Sequence, residues 1–221
     1  GLNQKLASGK LISRYKYDSK DNIIEFALFD SDEHPATNAL NYHKYMQKFN
    51  SRNQCIEICY YNTRGELTRY DDYNFCIKRT EYNGKGQAVK VSYFDKDDRP
   101  AFYSTKGDGA YSSNVSEYDN YGRVIHQLFF DRSGAPTDPK VKVPESATQY
   151  DNRGNEIYSA SLDGKGNLIM NPGTGWAFTR REYDNRDNLL WAAYFNEKEQ
   201  PIRCRDGYHK IVNTYTSANQ P

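Results

Sequence analysis

The sequence predicts an all-β protein, an array of about six antiparallel β-hairpin repeats that form one curled or stacked meandering sheet. Three observations predict it. An aromatic residue followed by Asp or Asn returns about every 33 residues, a second large residue follows each one after twelve positions, and short Asp/Asn-rich turn motifs lie between them. Repetition at a fixed period of roughly 20 to 50 residues is the main sequence sign of a stacked or solenoidal protein.

The repeat is numbered from the aromatic residue of the first pair, which defines position 0. This residue recurs at spacings of 32 to 36, as Tyr17, Phe49, Tyr82, Tyr118, Tyr150, Tyr183 and Tyr215. The large residue at +12 occurs in all six full repeats, as Phe29, Tyr61, Phe94, Phe130, Leu162 and Phe195. Because this offset never varies, we expect two strands in each repeat, about −7 to +1 and +5 to +13. Tight turns are expected at 19–21, 120–122, 152–154 and 185–187.

The repeats predict one domain, a single array over 10–221 that follows an N-terminal arm over 1–9. Full repeats start near residues 10, 42, 75, 111, 143 and 176, and a half-repeat starts near 208. The linkers between repeats vary most in length, and the longest runs over 102–110.

Asp or Asn opens each predicted turn and Gly, Asn or Asp ends it. Asp and Asn start such turns by accepting hydrogen bonds from the backbone, while the closing residue tolerates a positive φ. Calcium loops need oxygen-bearing side chains at alternating positions and a Gly at the sixth. The nearest match, 95–100, instead has Arg99 and Pro100. The motifs therefore predict turns, and we expect no metal site and no cofactor.

Both faces of the predicted hairpin are partly apolar. If position 0 faces +6 and −2 faces +8, the even positions share one face. On the other face an aliphatic residue recurs at +7, as Ile24, Ile56, Val89, Ile125, Ile157 and Leu190. In a sheet with one face exposed to solvent, apolar and polar residues would alternate more regularly along each strand. We therefore expect neighbouring repeats to bury one another's rings, as in other repeat proteins.

Composition excludes several classes of function. The net charge is only +1 and the charges are interspersed, so there is no basic stripe of the kind that binds nucleic acid. No apolar run approaches the roughly 20 residues of a membrane span. The four cysteines contain no CxxC motif, and we expect free, half-buried thiols.

Several turn motifs, such as "YDNYGR" at 118–123 and "YDNRGN" at 150–155, resemble the tyrosine-aspartate (YD) repeats of the Rhs family of bacterial surface and toxin-shell proteins. In this chain the period is near 33 residues. The resemblance covers nearly the whole chain. It implies an antiparallel β-array in a bacterial envelope or secreted protein, located in the periplasm, at the cell surface or outside the cell.

One recurrent feature could form a ligand-binding surface, an aromatic residue at position −7. It occurs as Tyr42, Phe75, Tyr111, Trp176 and Tyr208. Exposed rings along one edge could stack on sugars or anchor a protein partner. The alternative, which we favour, is that the rings hold adjacent strands together. In that case Trp176→Ala should destabilise the fold.

The sequence contains no recognised catalytic motif. The four histidines, His34, His43, His126 and His209, are scattered, and Glu25 and Glu57 both occupy position +8 of a strand. Repetition duplicates a surface, whereas an active site usually needs one irregular place. The sequence therefore favours a non-catalytic module that acts as a scaffold or as a binding surface for a protein or glycan. A glycan-binding or glycan-processing hydrolytic protein, with its site in the linkers, is the alternative.

Overall fold

The computed structural model describes residues 11–70, 73–103, 111–137 and 143–216, and in these ranges it contains strands and turns but no helix. The all-β hairpin array predicted from the sequence is confirmed. The predicted N-terminal arm, 1–9, lies outside the described residues. The chain divides into two compact units, an N-terminal unit over Gly1–Gly107 and a C-terminal unit over Asp108–Pro221. The boundary falls within the longest linker.

Each unit is an antiparallel meander in which the strands follow sequence order. The N-terminal unit contains β1 (Ile12–Tyr17), β2 (Ile23–Phe29), β3 (Lys44–Phe49), β4 (Cys55–Tyr61), β5 (Ile77–Tyr82) and β6 (Ala88–Phe94). The C-terminal unit contains β7 (Ser113–Tyr118), β8 (Val124–Phe130), β9 (Glu145–Tyr150), β10 (Glu156–Leu162), β11 (Phe178–Tyr183), β12 (Leu189–Phe195) and β13 (Lys210–Val212). In every full repeat the strands run from −5 to 0 and from +6 to +12. They are therefore slightly shorter at each end than predicted.

The turns form where the sequence predicts them, at 19–21, 120–122, 152–154 and 185–187. In the first of these, Asp18 Oδ1 accepts the N–H of Lys20 at 2.8 Å and of Asn22 at 3.0 Å. The same pair of bonds recurs at the Asp or Asn of +1 and of +13 in all six full repeats. Position +4 has a positive φ each time, as Asp21, Asn53, Gly86, Gly122, Gly154 and Asp187.

A β-bulge in each hairpin corrects the predicted assignment of side chains to faces. Tyr17 faces Ile23, as predicted for 0 and +6, but Tyr15 faces Phe26, so that −2 pairs with +9 and not with +8. The prediction that the even positions share one face is therefore wrong. Ile24, at +7, is the extra residue of the bulge, which reverses the alternation along the strand. All six hairpins show the same register shift.

The chain returns from each second strand through a short bridge that the sequence did not predict. Position +18 pairs with +12, as in Phe29↔Pro35, and this bridge recurs in all six full repeats. The backbone then reaches position −6, which bonds to strands on both sides. The N–H of His43 donates to Tyr61 O at 2.9 Å, and the carbonyl of His43 accepts from Leu28 N at 3.0 Å. The residue at −7 therefore lies at the linker end of the strands.

The cysteines are free, as predicted. Cys55 and Cys59 are half-buried, whereas Cys76 and Cys204 are buried more deeply than expected. Nowhere in the described ranges does a helix have the length and apolar character needed to cross a membrane.

Candidate functional site

The five predicted binding residues differ widely in exposure. Phe75 and Tyr42 are buried, with 3% and 8% of their surface exposed, while Tyr208 is 36% exposed. Tyr111 and Trp176 are half-buried. The described residues at −7 therefore do not form a continuous row of exposed rings.

Each of these rings packs against a ring at +11 of its own repeat or of the preceding one. The ring centroids are 5.3 Å apart for Tyr42 and Tyr60 and 4.8 Å apart for Phe75 and Tyr93. Trp176 lies 4.6 Å from Tyr194, which in turn lies 6.1 Å from Tyr208. The Tyr194 ring, at +11, therefore lies between the Trp176 and Tyr208 rings, which are both at −7. Rings from positions −7 and +11 thus alternate along this edge.

The N-terminal unit adds linker tyrosines that the sequence analysis did not single out. Tyr70 packs on Tyr60 at 4.6 Å, Tyr103 stacks on Tyr93 at 4.7 Å, and Tyr73 stacks on Tyr103 at 4.9 Å. We call the aromatic cluster the set Tyr42, Tyr60, Tyr70, Tyr73, Phe75, Tyr93 and Tyr103. The sequence contains a signal for these linker tyrosines, because Tyr70 and Tyr103 both occupy position +21 of neighbouring repeats.

The tyrosine hydroxyls of Tyr60 and Tyr208 on these edges are weaker acids than that of an ordinary tyrosine. Burial raises the pKa of Tyr60 well above its ordinary value. Loss of solvation and a hydrogen bond to Asp206 raise the pKa of Tyr208 to about 12. Both hydroxyls are therefore protonated at neutral pH and can donate hydrogen bonds.

Glu57 is the centre of a network of ion pairs in the N-terminal unit. Its carboxylate accepts Lys48 Nζ at 2.6 Å and Arg79 Nε at 2.7 Å, and only 14% of the Glu57 side chain is exposed. Arg79 also contacts Asp98 at 2.7 Å. Lys16 contacts Glu25, at the same repeat position as Glu57, at 2.7 Å. These carboxylates at +8 hold neighbouring strands together.

One histidine contacts a buried carboxylate. His126 Nε2 lies 2.5 Å from Oε1 of Glu145, whose other oxygen accepts the N–H of Gly166 at 3.1 Å. Glu145 is only 7% exposed. Sequence reasoning missed the pair because +8 and −5 of successive repeats become neighbours only in the observed register. His43 is structural, since its ring packs edge-on against Phe29.

The turn at Asp30 offers the only group of three potential metal ligands among the described residues. Ligand atoms of Asp30, Asp32 and His34 lie within 4.8 Å of one another. However, Asp30 Oδ1 already accepts the N–H of both Asp32 and His34 at 2.9 Å. The arrangement is that of the other turns, with Asp32 and His34 exposed to solvent.

Each unit has a groove between consecutive hairpins at the same repeat position. The first, of about 810 Å³, includes the bulge residues Ile24 and Ile56 with Lys16 and Lys48. The second, of about 460 Å³, is lined by Gln149, Ile157, Tyr158, Arg180, Arg181 and Trp191. Both combine a +7 aliphatic side chain with cationic side chains.

No protein-family model and no curated protein matches this chain. Among solved structures, the Photorhabdus luminescens Tc holotoxin pore with a mutated TccC3 is 10% identical, with a TM-score of 0.43 over 94% of this chain and 10% of that chain. The TcdB2–TccC3–Cdc42 structure is 11% identical, with a TM-score of 0.35 over 94% of this chain and 12% of that one. The TcdB2–TccC3–TEV structure is 12% identical, with a TM-score of 0.35 over 86% and 11%. This chain spans about a tenth of the length of the chains it matches.

Proposed function

We propose that the chain is a non-catalytic β-hairpin repeat module that serves as a scaffold and presents a binding surface to a protein or glycan partner. The observation that carries the proposal is the repetition of one hydrogen-bond pattern at both turns of all six full repeats. Such repetition produces hairpins of equivalent backbone geometry. Nearest-neighbour packing of equivalent repeats is the usual basis of an extended scaffold.

The proposal includes a setting and an organisation. The turn motifs resembling YD repeats support a bacterial envelope or secreted protein, at an extracellular, periplasmic or cell-surface location. The regular period from residue 10 onward supports a single array over 10–221. The aromatic residues at −7, of which Tyr208 is the most exposed, belong to the proposed binding surface.

Duplication of one repeat tests the scaffold proposal. A second copy of residues 42–74 is inserted after Asn74, which places a new Tyr42 ring where Phe75 follows in the original chain. We expect a folded protein with the same strand content per residue and a melting temperature no lower than that of the parent. A Gly/Ser insertion of equal length is the control and should lower the melting temperature. A duplicated variant that behaves like this control would contradict interchangeable repeats.

A glycan-processing hydrolase is the second candidate, and the contact between His126 and the buried Glu145 is the observation that favours it. Incubation with bacterial peptidoglycan, followed by measurement of new reducing ends, separates the two candidates. The scaffold proposal predicts no release above that of buffer. Release by the parent chain that is lost in Glu145→Gln would establish the hydrolase instead.

A further inference from the structure

The groove of the C-terminal unit lies beside an arginine without a carboxylate partner. This groove, of about 460 Å³, is lined by Gln149, Ile157, Tyr158, Arg180, Arg181 and Trp191, none of which is acidic. Arg181 pairs with Glu156, whereas no ion pair joins Arg180 to another residue of the described ranges. Arg180 is exposed, and its guanidinium lies 5.6 Å from the centre of the Phe178 ring and 5.8 Å from that of Phe195.

The equivalent place in the N-terminal unit contains a carboxylate between two cations. There Lys48, Glu57 and Arg79 face one another across β3, β4 and β5. The Glu57 carboxylate accepts Lys48 Nζ at 2.6 Å and Arg79 Nε at 2.7 Å. The three residues occupy position −1, position +8 and position −3 of the following repeat. One carboxylate at +8 therefore pairs with both cations.

In the C-terminal unit the same three positions lack that carboxylate. Gln149, Tyr158 and Arg180 face one another across β9, β10 and β11. Arg180 thus occupies the repeat position of Arg79, but its neighbour at +8 is a tyrosine. All three residues also line the groove. The groove therefore gives access to an arginine whose equivalent in the N-terminal unit binds a carboxylate.

The acidic residue at +16 of the same repeat does not take the place of the missing carboxylate. In the third repeat Asp98, at +16, contacts Arg79 at 2.7 Å. Glu199 occupies +16 of the sixth repeat, and both it and Arg180 are described, yet no ion pair joins them. Both side chains are exposed to solvent. Arg180 is therefore available to a carboxylate from outside the chain.

Two further hydrogen-bond donors lie next to Arg180. Directly paired residues of neighbouring strands share one face of a sheet, so Gln149 and Tyr158 point to the same side as the arginine. Burial raises the pKa of the Tyr158 hydroxyl, which is therefore protonated at neutral pH and can donate. The amide of Gln149 also donates. A guanidinium can hold a carboxylate through two parallel N–H···O bonds, which are stronger than bonds between neutral groups.

We propose that this groove binds an acidic peptide segment of a partner protein, with a glutamate or aspartate carboxylate of that segment paired to Arg180 and hydrogen-bonded by Tyr158. The pair of Glu57 and Arg79 supports a peptide carboxylate, because it shows such a side chain bound by an arginine at the same repeat position. Charge complementarity supports an acidic segment, since the lining contains two arginines and no acidic residue. The inference rests on the proposed function and names the chemistry of its partner.

A carboxylated sugar suits the walls of this groove less well than a peptide does. Lys210 Nζ lies over the Trp191 ring, 4.6 Å from its centre, and covers one face of it. The Trp191 N–H already donates to Glu182 Oε2 at 2.6 Å. Ile157, the extra residue of the bulge, adds an apolar wall that offers no hydrogen bond to a sugar hydroxyl. A glutamate with aliphatic neighbours, like Glu57 in β4, matches such a wall.

A capped peptide with the sequence of residues 55–59, carrying Cys55→Ser and Cys59→Ser to prevent oxidation, is the probe. Acetylation and amidation of its ends leave the Glu57 carboxylate as its only charge. We expect its addition to the full chain to shift the NMR signals of the Arg180 Nε–H and the Trp191 Nε1–H. The same peptide with Glu57→Gln should bind about tenfold more weakly, because a charge-assisted hydrogen bond is lost. This comparison leaves the protein unchanged, so the folding of a variant does not enter.

Variants of the chain provide the reciprocal test, followed by the Trp191 signal. Arg180→Gln should weaken binding of the parent peptide about tenfold. Arg203→Gln makes the same charge change at an exposed arginine outside the groove and should leave binding unchanged. Tyr158→Phe removes only the hydroxyl and should weaken binding about threefold. Arg180→Glu should bind a Glu57→Lys peptide better than the parent peptide, which requires direct contact between the two side chains.

A competition experiment distinguishes a peptide from a carboxylated sugar. Galacturonate and acetate carry the same carboxylate group, and we expect them to displace the peptide equally weakly at equal concentration. Stronger displacement by galacturonate would identify a sugar as the occupant and overturn the proposal.

Three other outcomes would also overturn it. They are no shift of the Arg180 and Trp191 signals, equal affinity for the glutamate and glutamine peptides, and equal loss of binding in Arg180→Gln and Arg203→Gln. None of these would alter the outcome of the repeat duplication, which concerns residues 42–74. Failure of this inference is therefore distinguishable from failure of the scaffold proposal.

Discussion

The two compact units use the same backbone pattern but fill it with different side chains. In the N-terminal unit the linker end of the strands is filled by the aromatic cluster, in which Tyr70, Tyr73 and Tyr103 come from the linkers. In the C-terminal unit a buried cluster among the described residues is built from Ala160, Ala177 and Phe178. Phe178 stacks on Phe195 with the ring planes only 5° from parallel.

The difference shows which part of the sequence determines which part of the structure. The turn residues and the bulge are shared by both units, and they define strand length and register. The core positions, in contrast, accept either large rings or small residues. Small residues at −6 and +10, such as Ala177 and Ala160, leave room for a neighbouring Phe. In the N-terminal unit the +11 rings of Tyr60 and Tyr93 instead pack on Tyr70 and Tyr103 from the linkers. The same backbone therefore tolerates different cores.

Position −7 gives the largest expected difference between the units. Phe75→Ala should cost about 3 to 5 kcal/mol in free energy of unfolding, because the ring is 3% exposed and contacts several others. Trp176→Ala should cost less, roughly 1 to 3 kcal/mol, since that ring is half-buried against Tyr194. Urea unfolding of both variants measures the difference.

Tyr121→Ala, at a ring that is 75% exposed, is the control for both changes and should alter stability by less than about 0.5 kcal/mol. Equal costs at Phe75 and Trp176 would contradict the different packing of the two units. A Trp176→Ala variant of parental stability that loses binding to a glycan or protein would make that residue part of a ligand site.

The turns should be equally important in both units. Asn83 Oδ1 accepts the N–H of Lys85 and Gln87, and Asn196 Oδ1 accepts those of Lys198 and Gln200, all at 2.9 to 3.0 Å. Asn83→Ala and Asn196→Ala should therefore each cost about 1 to 2 kcal/mol, the value of two modest hydrogen bonds. Thermal melts of the two variants provide the measurement.

Asn83→Asp and Asn196→Asp are the matched controls. Aspartate occupies the same positions in other repeats and makes the same backbone bonds, so these variants should stay close to parental stability. A large loss in only one unit would show that its turns do not share a common role.

Much of this fold could be predicted because it depends on local chemistry. Asp or Asn followed by a residue of positive φ defines a turn within five residues, and its repetition gives the strands. The bulge could not be predicted, since an aliphatic residue at +7 fits simple alternation equally well. The contact of Arg79 with Glu57 joins −3 to +8 of the preceding repeat, and the two positions become neighbours only in the observed register.

The candidate site was less accessible to sequence reasoning. The aromatic residues at −7 recur as a set in the sequence, but their exposure depends on which rings the linkers contribute. Tyr73 and Tyr103 lie 30 residues apart in sequence and stack at 4.9 Å, and no local pattern predicts such a contact. Linker length and composition vary among repeats, so the edge differs from one repeat to the next.

Acid should destabilise the first turns of the C-terminal repeats more than the first turns of the N-terminal repeats. A hydrogen bond from the side chain of Asn155 lowers the pKa of Asp151 to about 2, and Asn188 likewise lowers the pKa of Asp184. The first turns of the N-terminal unit have only one aspartate at +1, Asp18. A depressed folded-state pKa contributes stability that is present above the unfolded value of about 3.9 and is lost as pH falls through the folded value.

The expected result is therefore faster amide exchange at the first turns of the C-terminal unit than at those of the N-terminal unit between about pH 4 and pH 2. Asp151→Asn keeps the backbone bonds but removes the titrating group, and it should reduce this pH dependence. Equal acid sensitivity of the first turns in both units would argue against the carboxylates at +1 as its source.

The smallest expected effect is a difference in alkylation rate among the cysteine thiols. Burial raises the pKa of the Cys55, Cys59 and Cys76 thiols. Since the thiolate is the reactive form, alkylation by iodoacetamide near neutral pH should be slower than for an unperturbed cysteine and should rise with pH beyond about 8.5. Half-buried Cys55 and Cys59 should react before Cys76, which is 5% exposed, as followed by mass spectrometry of peptides.

Phe75→Ala, which opens the packing next to Cys76, should remove that order of reaction in the N-terminal unit and leave the alkylation rate of Cys204 unchanged. Rapid alkylation of Cys76 in the parent chain would instead mean that the edge next to the aromatic cluster opens frequently.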